Sequence, residues 1–177
     1  MTDSSDVRPG ASRTAVMVAA LRGRATARGE GACNDPWAAA LAGADGLAYA
    51  ADYDRAFPHV ELWIAARTAI LDSEVRTRVA EGFDQVVVLG AGLDTRAARL
   101  ATPGVRFFEV DQPASQADKR ERVAQLVGYP FDAATYVSCD FERQDFLERL
   151  SVSGFDASRP ALFVWEGVTY YLPEEAV

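Results

Sequence analysis

Asp111, Asp140 and Glu166 each stand just past a short apolar run, and a Gly90-x-Gly92 turn follows another such run. Runs of this kind read as strands of a parallel sheet covered on both faces. The crevice beyond the carboxyl ends of such strands is where open α/β sheets bind ligands. Residues 86–89 are four apolar residues with no polar face; the glycines come at once, and a helix-compatible run follows over residues 94–100. A buried strand, a glycine turn and a helix start make a place where backbone N–H groups can face a ligand. Asp111 lies 19 residues beyond Gly92, where a carboxylate can accept hydrogen bonds from ribose hydroxyls. Glu109 alternates with it along the same strand and is the other candidate; the strand-end residue is the preferred one.

The ligand these residues suit is not a dinucleotide. The third glycine of that fingerprint would fall at residue 95, where Thr95 stands, and Asp94 at the helix start would repel a pyrophosphate. Asp94, Asp111, Asp140 and Glu166 better fit a phosphate-free ligand with a positive centre. S-adenosylmethionine, with its ribose, adenine, amino-acid tail and sulfonium, is such a ligand. On this reading Asp140 accepts from the adenine amino group, Phe141 covers the ring and Glu166 stands at the mouth of the crevice. Arg67 pairs with the carboxylate of the tail. Each residue also has a plainer role. Asp94 can be a helix N-terminal residue with Arg96 as its surface partner. Asp111 can cap the helix opening at Pro113, Asp140 the helix that follows it, and Arg67 can be a structural ion pair. Tyr170 and Tyr171 either line a substrate pocket or pack against the N-terminal helices.

Composition narrows the alternatives. The 177 residues suffice for one domain, 49% of them hydrophobic and 25% charged. A net charge of −8 argues against general nucleic-acid affinity, which needs a basic face. No apolar run approaches the ~20 residues of a membrane span. Cys33 and Cys139 match no metal or redox spacing and read as free thiols of a reducing, cytoplasmic compartment. A single histidine, His59, excludes a histidine-rich metal site, and no Gly-x-Ser-x-Gly elbow supports a serine hydrolase. No metal site is expected. Five arginines lie from Arg8 to Arg28 with no acid until Glu30, a bias shared by transit peptides; a polar helix face is the preferred reading.

The elements that must position these residues can be placed from local signals. Residues 1–11 read as flexible. Ser12 can cap a helix over 13–27 with Val16, Met17, Ala20 and Leu21 inward. Asp35-Pro36 opens a second helix that Gly43 ends, and residues 46–57 are poorly specified. Pro58 opens a long helix whose apolar residues, Val60, Trp63, Ile64, Ile70, Leu71, Val75 and Val79, recur at helical steps, with Arg67 on or beside that face. Trp37 and Trp63 read as core of this helical region. From Gln85 strands alternate with helices: strands over 86–89, 105–110, 135–138 and 161–165, with helices near 95–100, 113–127 and 144–150. This predicts a parallel sheet with right-handed crossovers. The fourth strand has nothing to blunt it as an edge, which suggests that the sequence stops inside a larger domain, at a helix start near Pro173; the rival is a short form that pairs this edge with another chain.

Three motifs, Gly90-Ala91-Gly92-Leu93-Asp94-Thr95-Arg96, Phe107-Phe108-Glu109-Val110-Asp111-Gln112-Pro113 and Trp165-Glu166-Gly167-Val168-Thr169-Tyr170-Tyr171-Leu172, together closely resemble the leucine carboxyl methyltransferase-like family. The bacterial branch common in actinobacteria is the most similar one, and Ser12-Arg13-Thr14-Ala15, Asp35-Pro36-Trp37-Ala38 and Ala66-Arg67-Thr68 fit it too. The resemblance implies a Rossmann-like class I methyltransferase sheet of strand order 3-2-1-4-5-7-6. It places a helical cap over residues 12–82 and the S-adenosylmethionine-binding α/β domain over 83–177, with the later strands missing. It implies that Arg67, Gly90, Asp111, Asp140, Phe141 and Glu166 contact the cofactor, with Gly92 completing the turn. Phe141 departs from the leucine the family leads one to expect. The expected reaction is O-methylation of a carboxylate or hydroxyl on a small molecule or a peptide carboxylate, with no nucleic acid or membrane partner and no evident general base. A catalytically silent fragment or interaction module is the alternative, and a nicotinamide-dependent oxidoreductase a weaker one.

Overall fold

A computed structural model describes residues 12–29, 31 and 33–172. The proposed flexible N-terminus and the helix start at Pro173 lie outside these. Three helices come first: α1 (Arg13–Arg28), α2 (Ala38–Ala56) and α3 (Val60–Ala80). A Rossmann-like α/β unit follows as β1 (Gln85–Leu89), α4 (Arg96–Arg99), β2 (Arg106–Asp111), α5 (Pro113–Ala124), β3 (Ala134–Ser138), α6 (Phe146–Val152) and β4 (Ala161–Trp165). Its four strands are all parallel in the order β3-β2-β1-β4.

The caps act where the sequence put them. Ser12 Oγ accepts from Ala15 N at 3.1 Å, and Gly29 closes α1 at φ 71. Asp35 Oδ1 accepts from Trp37 N and Ala38 N at the start of α2. Gly43 does break α2, with φ 63 and ψ −172, but the chain resumes as helix to Ala56, through the stretch that carried no clear signal. Small residues explain the course of this pair. A Cβ on Gly23 would sit 2.7 Å from Ala39 N, and one on Gly46 2.6 Å from Val16 O. The α1 and α2 backbones therefore cross at a separation that only glycine permits.

Helix α3 turns only part of its predicted apolar face inward. Ile64 and Val75 are buried and Val60, Leu71 and Val79 pack partly buried on the core, but Trp63 and Ile70 are exposed and Glu61, Ala65, Thr68 and Asp72 share the buried side. Glu61 is tied to α1 by Arg24 at 2.5 Å and Arg28 at 2.8 Å. Trp63 is thus not core; Trp37 packs on the α1–α2 cluster, edge-on to Tyr129. α5 ends at Ala124, short of the expected 127, so only Val123 of the expected stripe is buried on it; Leu126 and Val127 lie beyond its end, half-buried and exposed.

β1 is buried at every residue because both sheet faces are covered. Val86, Val88, Phe107 and Val164 meet Val75, Ala97 and Leu100 on one face. Val87, Leu89, Phe108, Val110 and Val137 meet Leu150 on the other, with Phe146 and Phe155 alongside. On the first face α5 sends Lys119 to Glu109 at 2.5 Å, both side chains 2% exposed. Both cysteines are buried and free. Phe163 and Trp165 are partly exposed, and among the described residues no strand pairs with the outer edge of β4. No helix among the described residues is long and apolar enough to cross a membrane.

The glycine crossing is directly testable. Helix propensity alone would make Gly23→Ala stabilising by ~1 kcal/mol. The overlap with the Ala39 backbone reverses the sign, because a backbone cannot rotate aside as a side chain can. A net loss of about 1–3 kcal/mol is expected, read as a lower urea midpoint at unchanged slope. An unchanged or higher midpoint would show that the two helices separate freely.

Candidate functional site

The strand order reverses between β1 and β4, the switch point where open α/β sheets form their crevice. Leu89 is in register with Val110 on one side and Trp165 on the other. Gly90, Asp111 and Glu166, the next residue in each case, therefore stand at one level along the carboxyl rim. Asp111 is in register with Ser138, so Asp140 rises two residues further along the same rim.

The glycine turn does not offer its amides outward. Gly90 N and Ala91 N donate to Val110 O at 2.8 and 3.2 Å. Gly92 N donates to Asp111 Oδ2 at 2.5 Å, Asp94 N to Ala91 O at 2.7 Å, and Arg96 N to Asp94 Oδ1 at 2.7 Å. This corrects the expectation of a cradle of free N–H groups. α4 is also a single turn of four residues, too short to build much dipole. Gly90 and Gly92 have φ of 62 and 48, and a Cβ on Gly90 would lie 2.3 Å from Val168 Cγ2. The first glycine thus admits Val168 from the segment after β4.

Behind the turn lies a buried ionic network. Arg96, 2% exposed, reaches three carboxylates: Asp72 Oδ1 through Nε at 3.0 Å, Glu166 Oε2 through Nη1 at 2.7 Å, and Asp94. Arg96 is not the surface partner of Asp94 that spacing suggested. Arg99 pairs with Asp72 as well, and its Nε donates to Thr95 Oγ1 at 2.9 Å. Thr95, fully buried, donates in turn to Asp35 Oδ2 at 2.7 Å, which also accepts from Arg22 Nε at 2.9 Å. The residue at the third fingerprint position therefore joins the turn to α1 and the start of α2. Burial alone would raise the Asp94 carboxyl, but Arg96, Arg22, Arg99 and Lys119 around it win and hold it well below the usual carboxylate range. Burial opposes the charge of Arg96 too, and Asp94, Glu166 and Asp72 outweigh it, raising its pKa.

Arg67 and Glu166 meet at the mouth of the crevice. Arg67 Nε lies 2.6 Å from Glu166 Oε1, and its guanidinium sits 4.5 Å above the Trp63 ring. The contact is an ion pair without hydrogen-bond alignment, so that this buried N–H has no hydrogen-bond partner. An open cavity of about 410 Å³ is lined by Trp63, Arg67, Ile70, Trp165, Glu166 and Gly167.

The other candidates are spread along the rim. Asp111 accepts from Gly92 N and, at 2.7 Å, from Gln112 N, and does not cap α5. Burial pushes its carboxyl up, partly offset by those two amides and Lys119. Glu109 is buried against Lys119 on the sheet face, away from the rim, and burial raises its carboxyl. Asp140 Oδ1 accepts from Glu142 N at 3.1 Å, holding its own turn. The cap of α6 is Asp145, which accepts from Leu147 N and Glu148 N. Phe141 ends an aromatic row running through Phe146 and Phe163. Tyr171 donates to Thr14 Oγ1 at 2.6 Å, tying this segment to α1, while Tyr170 is 90% exposed. Among the described residues no group of three or more His, Cys, Asp or Glu is placed to hold a metal. The structure brings Arg67, Glu166 and the glycine turn into one assembly through Arg96, and leaves Asp140 and Phe141 at the far strand end. Sequence reasoning missed Arg96, Asp72, Arg99 and Asp35 as parts of the site.

The low Asp94 pKa has a sign that can be measured. A carboxyl held below its unfolded value contributes stability that is whole above the ordinary range, about pH 4, and is lost as pH falls below it. Asp94→Asn is expected to flatten the acid slope of unfolding free energy from about pH 5 downward. Urea titrations of variant and wild type that run parallel over that range would count against the assignment.

The family described as leucine carboxyl methyltransferase matches residues 15–177. A protein of Mycolicibacterium vanbaalenii named "Putative S-adenosyl-L-methionine-dependent methyltransferase" is 37% identical over 189 residues, covering 98% of this chain and 62% of the relative. Proteins of the same name from Mycobacterium avium and Mycobacteroides abscessus are 37% and 35% identical over 190 and 191 residues, with the same coverage. The chain spans about three fifths of the length of these relatives. The match over nearly its whole length shows that this chain belongs to the leucine carboxyl methyltransferase family.

Proposed function

We propose that this chain carries the S-adenosylmethionine site of a methyltransferase that acts on an oxygen nucleophile. The names of the relatives support the cofactor class, and the chemistry of the rim supports it independently. The observation that carries the reading is the pairing of Arg67 with Glu166 beside an inward-bonded glycine turn. The amides of Gly90, Ala91, Gly92 and Asp94 are already engaged, and the carboxylate of Asp94 stands behind them; both disfavour the pyrophosphate of a nicotinamide dinucleotide. An arginine with an unaligned buried N–H, next to a carboxylate, offers complementary partners to the carboxylate and ammonium of an amino-acid tail.

The residues present fit that cofactor. Asp111 accepts two backbone N–H bonds, and a carboxylate has about four acceptor sites. The remaining sites suit ribose hydroxyls. Asp140 and Phe141, at the end of β3, are the residues for the adenine. Gly90 and Gly92 make the turn between Asp111 and Glu166, which the strand register holds level. Val168 lies on Gly90, so a ligand against the turn displaces this valine or lies on its Asp111 side. Residues 12–82 act as a cap and 83–177 as the cofactor-binding part, with Tyr171 and Thr14 joining the two.

When bound, the cofactor would supply an electrophilic methyl to the acceptor oxygen, with Arg67 and Glu166 holding its amino-acid tail, Asp111 its ribose, and Asp140 and Phe141 its adenine. This chain's residues would orient the partners for that transfer. The carboxylates described at the rim are engaged in ion pairs or backbone bonds. This favours an acceptor that is already ionised, a carboxylate of a small molecule or peptide, over a hydroxyl that would need a general base. The site is proposed to act in the cytoplasm. The uncovered β4 edge and the open 410 Å³ cavity support a second reading, a binding module without turnover.

Calorimetry with S-adenosylmethionine, S-adenosylhomocysteine and NAD separates these. Heat with the two sulfur ligands and none with NAD is expected, and Asp111→Ala should weaken binding by roughly 1–3 kcal/mol, the worth of hydrogen bonds to a charged group. A folded chain that binds neither sulfur ligand would sink the reading; binding without methyl transfer to any carboxylic acid tested would favour the module.

A further inference from the structure

We propose that Arg96 is a positioning residue that keeps the Glu166 carboxylate in place when Arg67 turns from it to a ligand. The inference rests on the amino-acid-tail reading above and adds a residue to it that makes no ligand contact.

Two cations share Glu166, and they are not equivalent. Arg67 holds Oε1 at 2.6 Å from a side chain 23% exposed, and its Nε–H makes no aligned hydrogen bond. Its other neighbour in the crevice is the face of Trp63, which holds a guanidinium by position and not by direction. Arg96 holds Oε2 at 2.7 Å from a side chain 2% exposed, and it is fixed from two more sides by Asp72 and Asp94. Arg67 can therefore change partners at little cost. Arg96 cannot, because leaving would strip Asp94 of its ion pair and take a charge partner from Asp72 and Glu166 as well.

The charges balance in a way that suits this division. Arg67, Arg96 and Arg99 face Asp72, Asp94 and Glu166. A zwitterionic amino-acid group adds no net charge to such a cluster. Its carboxylate takes Arg67, its ammonium takes the Oε1 that Arg67 releases, and Oε2 remains on Arg96 throughout. Without Arg96, Glu166 would have to follow Arg67 or stay as a carboxylate with a single mobile partner.

The test compares ligands with and without the tail on the same protein. S-adenosylhomocysteine carries the amino-acid group and adenosine does not. Arg96→Lys keeps the charge and loses the fork that spans Asp94, Asp72 and Glu166. Its affinity for S-adenosylhomocysteine is expected to fall roughly tenfold or more, with adenosine held within about twofold. Equal losses for both ligands, or no loss for either, would overturn the proposal. The wild-type protein serves as the control that separates two failures: if it binds neither ligand, the cofactor reading itself is wrong. A measurement on the wild type covers the case in which Arg96→Lys does not fold. Arginine Nε–H signals, assigned with Arg67→Lys, should show the Arg67 resonance shifting with S-adenosylhomocysteine but not with adenosine, while the Arg96 resonance stays slowly exchanging with both. An Arg96 signal that shifts or exchanges as Arg67 does would overturn it as well.

Discussion

Three carboxylates from three parts of the chain converge on one buried guanidinium, and the arrangement of the rim depends on that convergence. Asp72 comes from α3, Asp94 from the glycine turn and Glu166 from the end of β4. Taking one cation and three anions out of water is unfavourable unless each is met by opposite charge and hydrogen bonds. Arg99 supplies the second cation to Asp72, Arg67 to Glu166, and Lys119, Arg22 and Arg99 add to the field at Asp94. The network is therefore satisfied only when α3, the turn and β4 stand together. Hydrophobic contact alone would hold these elements near one another without fixing which residue faces which.

The same network explains how a glycine turn can serve a site without offering its backbone. The amides of Gly90, Ala91, Gly92 and Asp94 are spent on Val110 O, on Asp111 and on the turn itself. The strand register sets Asp111 and Glu166 level on either side of Gly90, and the turn carries the chain away between them. On the proposed reading recognition falls to side chains, and side chains of both signs suit a zwitterion or a sulfonium better than a polyanion. Thr95 completes the contrast. A glycine at that position would let a helix pack close; the buried hydroxyl instead bridges Asp35 and Arg99 and locks the turn to the start of α2.

The parts of the fold written in local signals were legible. Ser12, Asp35 and Gly29 act on neighbours within a turn, and the apolar runs of β1 and β4 announce strands, of which β1 is covered on both faces. The rim residues could be placed because strand ends align in a parallel sheet. The ionic network was not legible, since Arg96 and Asp72 are 24 residues apart and belong to elements whose docking no local pattern specifies. Asp94 and Arg96 are close in sequence, yet spacing alone could not tell a solvated pair from a buried one. The cap of α6 was misplaced for a simpler reason: Asp140 and Asp145 both precede that helix, and only Asp145 reaches its first amides.

Helix α3 shows why an apolar stripe can mislead. Its spacing points Trp63 and Ile70 inward, but the buried side carries Glu61 and Asp72, each met by arginines of other elements. Rotating α3 to bury the exposed apolar side chains would gain roughly 1.5–3 kcal/mol for each one fully covered. It would also leave Arg24, Arg28, Arg96 and Arg99 facing apolar groups, and breaking one buried pair costs about 3–5 kcal/mol. The polar contacts therefore set the rotation of the helix. The outer members of its apolar stripe are left at the crevice, where Trp63 and Ile70 join Trp165 around the Arg67–Glu166 pair. One helix thus fixes the carboxylates of the site with one face and walls the cavity beside them with the other.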